Sequence, residues 1–99
     1  MSGARLQRDG AFRFHVEGEM TFATASDLLR QSAEYFDKAR ELEIDLSRVS
    51  AGDSAGLALL LEWKAMAVRL GGRVAISEPP EALRSIARLC RIETLLQNV

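Results

Sequence analysis

A short motif in the middle of the chain, Asp53-Ser54-Ala55-Gly56-Leu57, carries the residue types best suited to binding chemistry. It follows a polar loop and begins a long apolar run, so we predict that it starts a helix. A hydroxyl at a helix amino terminus lies near unpaired N–H groups and the positive end of the helix dipole, a position that favours a phosphate or a partner's carboxylate. The simpler interpretation is that Asp53 or Ser54 is only the N-cap. Gly56, inside the first turn, indicates close approach of another backbone or of a partner.

The remaining reactive side chains are too few for catalysis. The chain has one histidine, His15, and one cysteine, Cys90, which together cannot assemble a zinc site or a Cys/His nucleophile. We expect His15 to be exposed on the polar face of a strand and Cys90 to be buried on the apolar face of a helix. Glu17 and Glu19 form a spaced acidic pair with no sign of a surrounding cleft, so they are interpreted as solvated turn residues. We therefore predict no catalytic residue, no metal, no cofactor and no enzymatic activity.

Turn-forming residues divide the chain into short elements that must position these side chains. Residues 6–8 and 11–17 are predicted as two strands joined by a tight turn at Asp9-Gly10. In the second strand apolar and polar residues alternate, which predicts one buried face. The residues expected on that buried face are Phe12, Phe14 and Val16. Gly18 is expected to end this strand.

Beyond the hairpin, helical and strand patterns alternate. Thr24 followed by Asp27 matches a capping box, and we predict a helix from there to about Lys38. The later predicted elements are a strand at residues 42–46, a helix at 54–70 ended by Gly71-Gly72, a strand at Arg73–Ser77, a helix after Pro79-Pro80 and a short segment at 92–96. The order β-β-α-β-α-β-α predicts an α/β fold with an opening hairpin, a mostly parallel central sheet and helices packed on it.

The helix predicted at residues 54–70 has two apolar faces. The bulkier face is expected to pack on the sheet and comprises Leu59, Leu60, Trp63, Met66, Ala67 and Leu70. The opposite face lies beneath Ser54 and comprises Leu57, Ala58, Leu61, Ala65 and Val68. Because a surface helix of a small domain needs only one apolar stripe, we interpret the second face as a protein-binding stripe. In the alternative interpretation, a neighbouring helix buries it.

Composition limits the classes of function that fit the chain. Its 99 residues are enough for one domain, which we expect to span residues 1–99. A formal net charge of −1 gives no electrostatic basis for binding nucleic acid or an anionic membrane. The first ten residues lack the apolar core of a secretory signal, and no segment is long and apolar enough to insert into a membrane. We therefore expect a soluble, cytoplasmic protein.

The motif at residues 53–57, in this order of elements, resembles the STAS domain of anti-sigma factor antagonists over about residues 4–96. Three blocks make the chain similar to the MlaB group of STAS proteins. They are Gly18-Glu19-Met20-Thr21-Phe22-Ala23-Thr24, Asp45-Leu46-Ser47-Arg48-Val49 and residues 53–63. The resemblance implies a cytoplasmic, non-catalytic subunit of an ABC-type system that moves phospholipids to maintain outer-membrane asymmetry. Such a subunit binds the transporter's ATPase, supports its assembly and activity, and reaches the membrane only through that complex.

The resemblance also assigns roles to residues. The family's regulatory hydroxyl falls on Ser54 and its preceding acid on Asp53. With the helical projection, the predicted partner-binding residues are Asp53, Ser54, Gly56, Leu57, Ala58, Leu61, Ala65 and Val68. The alternative function is an anti-sigma factor antagonist, in which a partner kinase phosphorylates Ser54 and the added charge abolishes binding. A third hypothesis is a nucleotide-binding enzyme, but the sequence contains no Walker-type loop. The sequence leaves open the phosphorylation of Ser54 and the formation of homo-oligomers.

Overall fold

The computed structural model describes residues 3–36 and 41–96. The elements are β1 (Ala4–Arg8), β2 (Arg13–Met20), α1 (Ala25–Phe36), β3 (Glu41–Asp45), β4 (Val49–Gly52), α2 (Ser54–Arg69), β5 (Arg73–Ser77), α3 (Glu81–Leu89) and a closing 3-10 turn (Glu93–Leu96). The predicted α/β fold is confirmed, with β4 as an additional strand. The predicted end of the first helix near Lys38 lies outside the described residues.

The sheet is built around β2. Strand β1 pairs with it in antiparallel register, with Leu6 opposite Val16. Strands β3 and β4 pair in parallel with its first and second halves, and β5 continues the sheet in parallel from β3. Strand β2 therefore begins next to the hairpin turn and ends beside β4, the strand that precedes α2.

The opening hairpin differs from its prediction at both ends of β2. Four residues, 9–12, connect the strands, and the N–H groups of Asp9 and Gly10 both donate to the carbonyl of Arg13. Phe12 therefore precedes the strand and is 51% exposed, so its predicted burial is wrong. Gly18 does not end the strand, which continues to Met20 through an irregularity in register. Gly18 supplies the positive φ of 94° that this irregularity needs.

The unpredicted strand β4 determines where α2 begins. Its four residues are Val-Ser-Ala-Gly, and none of them is fully buried, so the strand carries no alternating apolar pattern. It pairs with the end of β2, where Gly52 lies opposite Met20. The next residue, Asp53, donates its backbone N–H to the carbonyl of Met20 at 3.2 Å. Strand β4 thus joins the start of α2 to the end of β2.

The core lies between the sheet and three helices on one of its faces. Helix α2 packs between α1 and α3, so all three share that face. Trp63 is fully buried in α2, as predicted, and lies against the ring of Phe36 at a centroid distance of 6.2 Å. Its indole N–H donates to the Ser32 hydroxyl at 2.9 Å. This bond explains how a serine occupies the apolar stripe of α1, since a buried indole N–H needs an acceptor.

The last apolar residues of two predicted helices lie at the helix ends and are exposed, not buried as expected. In α3, Leu83 and Ala87 are buried and lie one helical turn apart on the same face. The helix stops at Leu89, however, and Cys90 is its exposed C-cap, so the predicted burial of Cys90 is wrong. Leu70 is likewise the C-cap of α2 and is 45% exposed instead of lying in the core. A residue past the last helical turn no longer follows the helix's apolar face.

His15 is buried, not exposed as predicted, on the opposite face of the sheet. Only 6% of the residue is accessible, because carboxylates bind both ring nitrogens. Nδ1 lies 2.8 Å from the carboxylate of Asp9, and Nε2 lies 2.6 Å from Glu17. The hydrogen bond to Glu17, and the bond to and charge of Asp9, raise the pKa of His15 above its ordinary value of 6.5, although burial and the nearby Arg48 oppose them. The bond between the imidazolium of His15, in β2, and the carboxylate of Asp9 therefore links the hairpin turn to that strand.

We expect alkaline pH to weaken this tie. Since the folded pKa of His15 is raised, its stabilising contribution is complete below pH 6.5 and is lost as pH rises through the folded value. Urea unfolding should show wild-type stability falling across this window, and His15→Gln should flatten the fall. An imidazole pKa at or below 6.5 by NMR titration, or the same pH dependence in both proteins, would contradict this account.

Gly56 allows α2 to approach β2 closely. A Cβ at this position would lie 2.0 Å from the carbonyl oxygen of Met20, a rigid backbone atom. The close approach indicated by this glycine is therefore to the chain's own backbone. The same carbonyl accepts the N–H of Asp53, so the first turn of α2 is fixed on the end of β2.

Gly56→Ala should lower the free energy of unfolding by about 2–3 kcal/mol, because the helix must move away from β2 to make room. Gly10→Ala is the matched control, since a Cβ there meets nothing within 4 Å. We expect the control to change stability by less than about 0.5 kcal/mol. Equal denaturation midpoints for the two variants would show that the contact at Gly56 is not tight.

Candidate surface at the start of helix α2

Asp53 is the N-cap of α2, which decides between the two candidates. Its Oδ1 accepts the backbone N–H groups of Ala55 at 2.9 Å and Gly56 at 3.2 Å. Its Oδ2 accepts the N–H of Phe22 at 3.0 Å. The bond from Phe22, followed by those from Gly56 and Ala55, lowers the pKa of Asp53. One ionised carboxylate therefore holds both the start of α2 and the loop that follows β2.

Ser54 is left free by this arrangement. It is the first residue of α2 and is exposed. Because Asp53 performs the capping, the Ser54 hydroxyl makes no hydrogen bond to any part of the chain that the structure describes. Its hydroxyl is therefore available to a partner or to a modifying enzyme.

The loop between β2 and α1 forms a tight turn beside Ser54. The carbonyl of Thr21 accepts the N–H groups of Thr24 and Ala25, both at 2.9 Å. The Thr24 hydroxyl accepts the N–H of Thr21 and donates to the carbonyl of Glu19. Thr24 thus stabilises the turn before α1, and these bonds replace the capping-box role predicted for its side chain. The turn leaves Phe22 87% exposed.

The predicted face of α2 divides into exposed and buried parts. Leu57 is 4% exposed and Gly56 is also buried, so neither presents a side chain to a partner. Leu57 lies about 100° around the helix from Ala58 and turns inward, because α2 is flanked by two helices. What remains accessible is the outer stripe, whose residues are Ser54, Ala58, Leu61, Ala65 and Val68. In this stripe Leu61 and Ala65 are half-buried, whereas Val68 is 68% exposed.

The opposite face of α2 is the core face, as predicted. Leu59, Leu60, Trp63 and Ala67 are all buried. The alternative in which neighbouring helices bury the second apolar face accounts for Leu57 but not for the outer stripe. The stripe therefore continues directly from Ser54 along the surface, at the helical spacing i, i+4, i+7, i+11 and i+14.

No reactive cluster accompanies this surface. Within residues 3–36 and 41–96, no group of three or more His, Cys, Asp or Glu side chains could hold a metal ion. A cavity of about 600 Å³ lies between β1 and α1 and is lined by residues such as Arg5, Glu17 and Gln31; Ser54 is not among its lining residues. In the same part of the chain, no helix has both the length and the apolarity to cross a membrane. The chemistry available at the surface is apolar contact and hydrogen bonding by one hydroxyl.

Sequence reasoning missed Phe22 as part of this surface. In the sequence Phe22 stands out only as a phenylalanine between a predicted strand and a predicted helix, with Thr21 before it and Ala23 after it. Its exposure could not be inferred from periodicity, because it lies in a turn between two elements. The contact with Asp53 that places it beside Ser54 joins residues 31 positions apart.

Known proteins of similar fold support the architecture. SpoIIAA, an anti-sigma factor antagonist in its unphosphorylated form, matches with a TM-score of 0.71 and 14% identity, covering 93% of this chain and 84% of that chain. The crystal structure of Mglu matches with a TM-score of 0.64 and 25% identity, covering 80% of this chain and 20% of that chain. This chain thus spans about a fifth of Mglu. Comparison with curated proteins finds no match.

The family comparison is more specific than the structural ones. A family model described as "Mlab, STAS domain" matches residues 4–97. That range includes the whole sheet, the three helices and the surface at Ser54. The chain therefore belongs to the MlaB-type family of STAS-domain proteins.

Proposed function

We propose that this chain is a non-catalytic STAS subunit that binds the ATPase of an ABC-type phospholipid transport system and supports its assembly or activity. The single observation that carries the proposal is the free Ser54 hydroxyl at the start of a partly exposed apolar stripe. The match to the MlaB-type family model supports the choice of partner. In this role the chain is cytoplasmic and associates with the membrane through the transporter complex.

The composition of the surface fits a protein partner. Apart from Ser54, the outer stripe consists of alanine, leucine and valine, which gain free energy when they leave water. The Ser54 hydroxyl adds a directional hydrogen bond that an apolar stripe alone lacks. We expect the ATPase to present an apolar surface with a hydrogen-bonding group opposite Ser54. An apolar centre accompanied by directional polar contacts is typical of protein interfaces.

The first test is formation of the complex. The chain, co-expressed with the ABC ATPase encoded in the same genome, should co-purify with it through affinity and size-exclusion chromatography. ATP hydrolysis by the ATPase should also depend on the chain being present. If the purified wild-type proteins do not associate, the proposed function is wrong.

The second test places a charge at the contact. Ser54→Glu should weaken binding of the ATPase at least about tenfold, because a carboxylate would be desolvated in an apolar interface. Glutamate at the first position of a helix suits the helix dipole, so the variant should keep its fold. Ala11→Glu is the matched control, because it adds the same charge to the exposed connection between β1 and β2. Equal affinities of the two variants, measured by calorimetry, would show that Ser54 is not part of the interface.

A second candidate function is that of an anti-sigma factor antagonist. The observation that favours it is again the exposed hydroxyl of Ser54, which a kinase could reach. A phosphate there would bring about −1.5 to −2 charges beside the ionised Asp53 and would oppose an apolar partner. Incubation with a cognate kinase and ATP, followed by mass spectrometry, tests this function. Phosphate on Ser54, together with neighbouring genes for a kinase and a sigma factor, would favour it over the transporter.

A further inference from the structure

Phe22 is the most exposed of the large apolar side chains whose exposure the structure describes. Its exposed fraction is 87%, followed by 84% for Leu89 and 68% for Val68. A phenylalanine in water forgoes about 1.5–3 kcal/mol that burial would provide. Single exposed apolar residues are common on protein surfaces, so exposure alone does not define a site. The way in which the chain holds Phe22 supplies the further evidence.

The backbone of Phe22 is fixed although its ring is free. The turn around it is closed on both sides by bonds between Thr21 and Thr24. The N–H of Phe22 itself donates to Oδ2 of Asp53. An anchor held in this way loses little conformational entropy on binding, which is the advantage of preorganisation.

The same carboxylate places Phe22 next to the outer stripe. Asp53 binds Phe22 through Oδ2 and the first turn of α2 through Oδ1. The backbone of Phe22 and the first turn of α2 therefore donate hydrogen bonds to the same carboxylate. Phe22 and Ser54 together extend the surface from α2 onto the turn after β2.

The charges nearby indicate what kind of partner would receive the ring. The turn itself, Thr21 to Thr24, contains no lysine or arginine, and two acidic residues, Asp53 and Glu19, are hydrogen-bonded to it. An anionic lipid surface attracts basic residues, so this acidic setting does not suit a membrane. A protein pocket with an apolar floor for the Phe22 ring and a neutral or basic rim would match these acidic residues.

We propose that Phe22 is the anchor residue of the interface and inserts into an apolar pocket of the ATPase, with Asp53 as the residue that positions it. The proposal deepens the proposed function and rests on it for the identity of the partner. Aromatic side chains in desolvated pockets often dominate the affinity of an interface. Phe22 makes the largest single contribution to the affinity, and Ser54 adds a directional hydrogen bond.

The direct test is photo-crosslinking in cells of the source organism. p-Benzoylphenylalanine replaces Phe22 in the full chain, and the same substitution at Phe12, at the opposite end of β2, is the control. Crosslinked products are identified by mass spectrometry. We expect a covalent product with the ABC ATPase from position 22 and none from position 12.

The outcomes separate this inference from the proposed function. A product with a different identified protein, such as a kinase, would support Phe22 as an anchor and overturn the choice of an ATPase. Lipid adducts at position 22, or no product there, would overturn the anchor even if the wild-type complex with the ATPase forms. Equal crosslinking of the ATPase from both positions would overturn it as well.

Affinity measurements test the strength of the anchor. With the purified ATPase, Phe22→Ala should weaken binding by about 30-fold, the loss typical of a dominant interface residue. Phe12→Ala should leave affinity unchanged. Both phenylalanines are exposed, so neither variant should lose its fold, and circular dichroism checks this. A loss below about threefold for Phe22→Ala would overturn the proposal.

A double-mutant cycle tests Asp53 as the positioning residue. Asp53→Asn keeps an oxygen for the N–H groups of α2 but can turn an N–H towards the N–H of Phe22. We expect it to weaken binding about threefold to tenfold in the wild-type background and not at all when Phe22 is already alanine. A purely structural effect would persist in both backgrounds and would refute the positioning role.

Discussion

The carboxylate of Asp53 is the contact on which the arrangement of the candidate surface depends. Its two oxygens accept three backbone N–H groups, two from the first turn of α2 and one from Phe22. These groups belong to two different segments, a loop and a helix terminus, each of which would otherwise leave backbone donors unpaired. Because Asp53 accepts all three N–H groups, it holds the loop and the first turn of α2 side by side as one surface. It also leaves the hydroxyl of Ser54 without a capping role.

The rest of the fold brings Asp53 to this place. Strand β4 extends beside the end of β2, and the carbonyl of Met20 accepts the N–H of Asp53. Gly56 lets the helix sit against that same carbonyl. The buried face of α2, centred on Trp63, fixes the rotation of the helix about its axis and so decides which residues form the outer stripe. The geometry of the surface is therefore a consequence of packing at the core.

Local chemistry was predictable from the sequence, whereas contacts between distant segments were not. The start of α2 and the burial of Trp63 follow from capping preferences and helical spacing, which act over a few residues. The burial of His15 was mispredicted because it depends on the Asp9 carboxylate, which the hairpin turn brings to Nδ1, as well as on Glu17 of the same strand at Nε2. The exposure of Phe22 was missed because no periodicity governs a turn. Leu57 was placed on the wrong face because the projection could not show that α2 has a helix on each side.

The central claim is that Phe22, Ser54 and the outer stripe form one protein-binding surface. Methyl NMR of the labelled chain, titrated with the ABC ATPase, tests it most directly, because each methyl group reports on its own surroundings. The account predicts that signals of Ala23, Ala58 and Val68 shift or lose intensity together, while Ala11 at the opposite end of β2 is unaffected. Changes confined to Ala11, or spread evenly over all four residues, would contradict it.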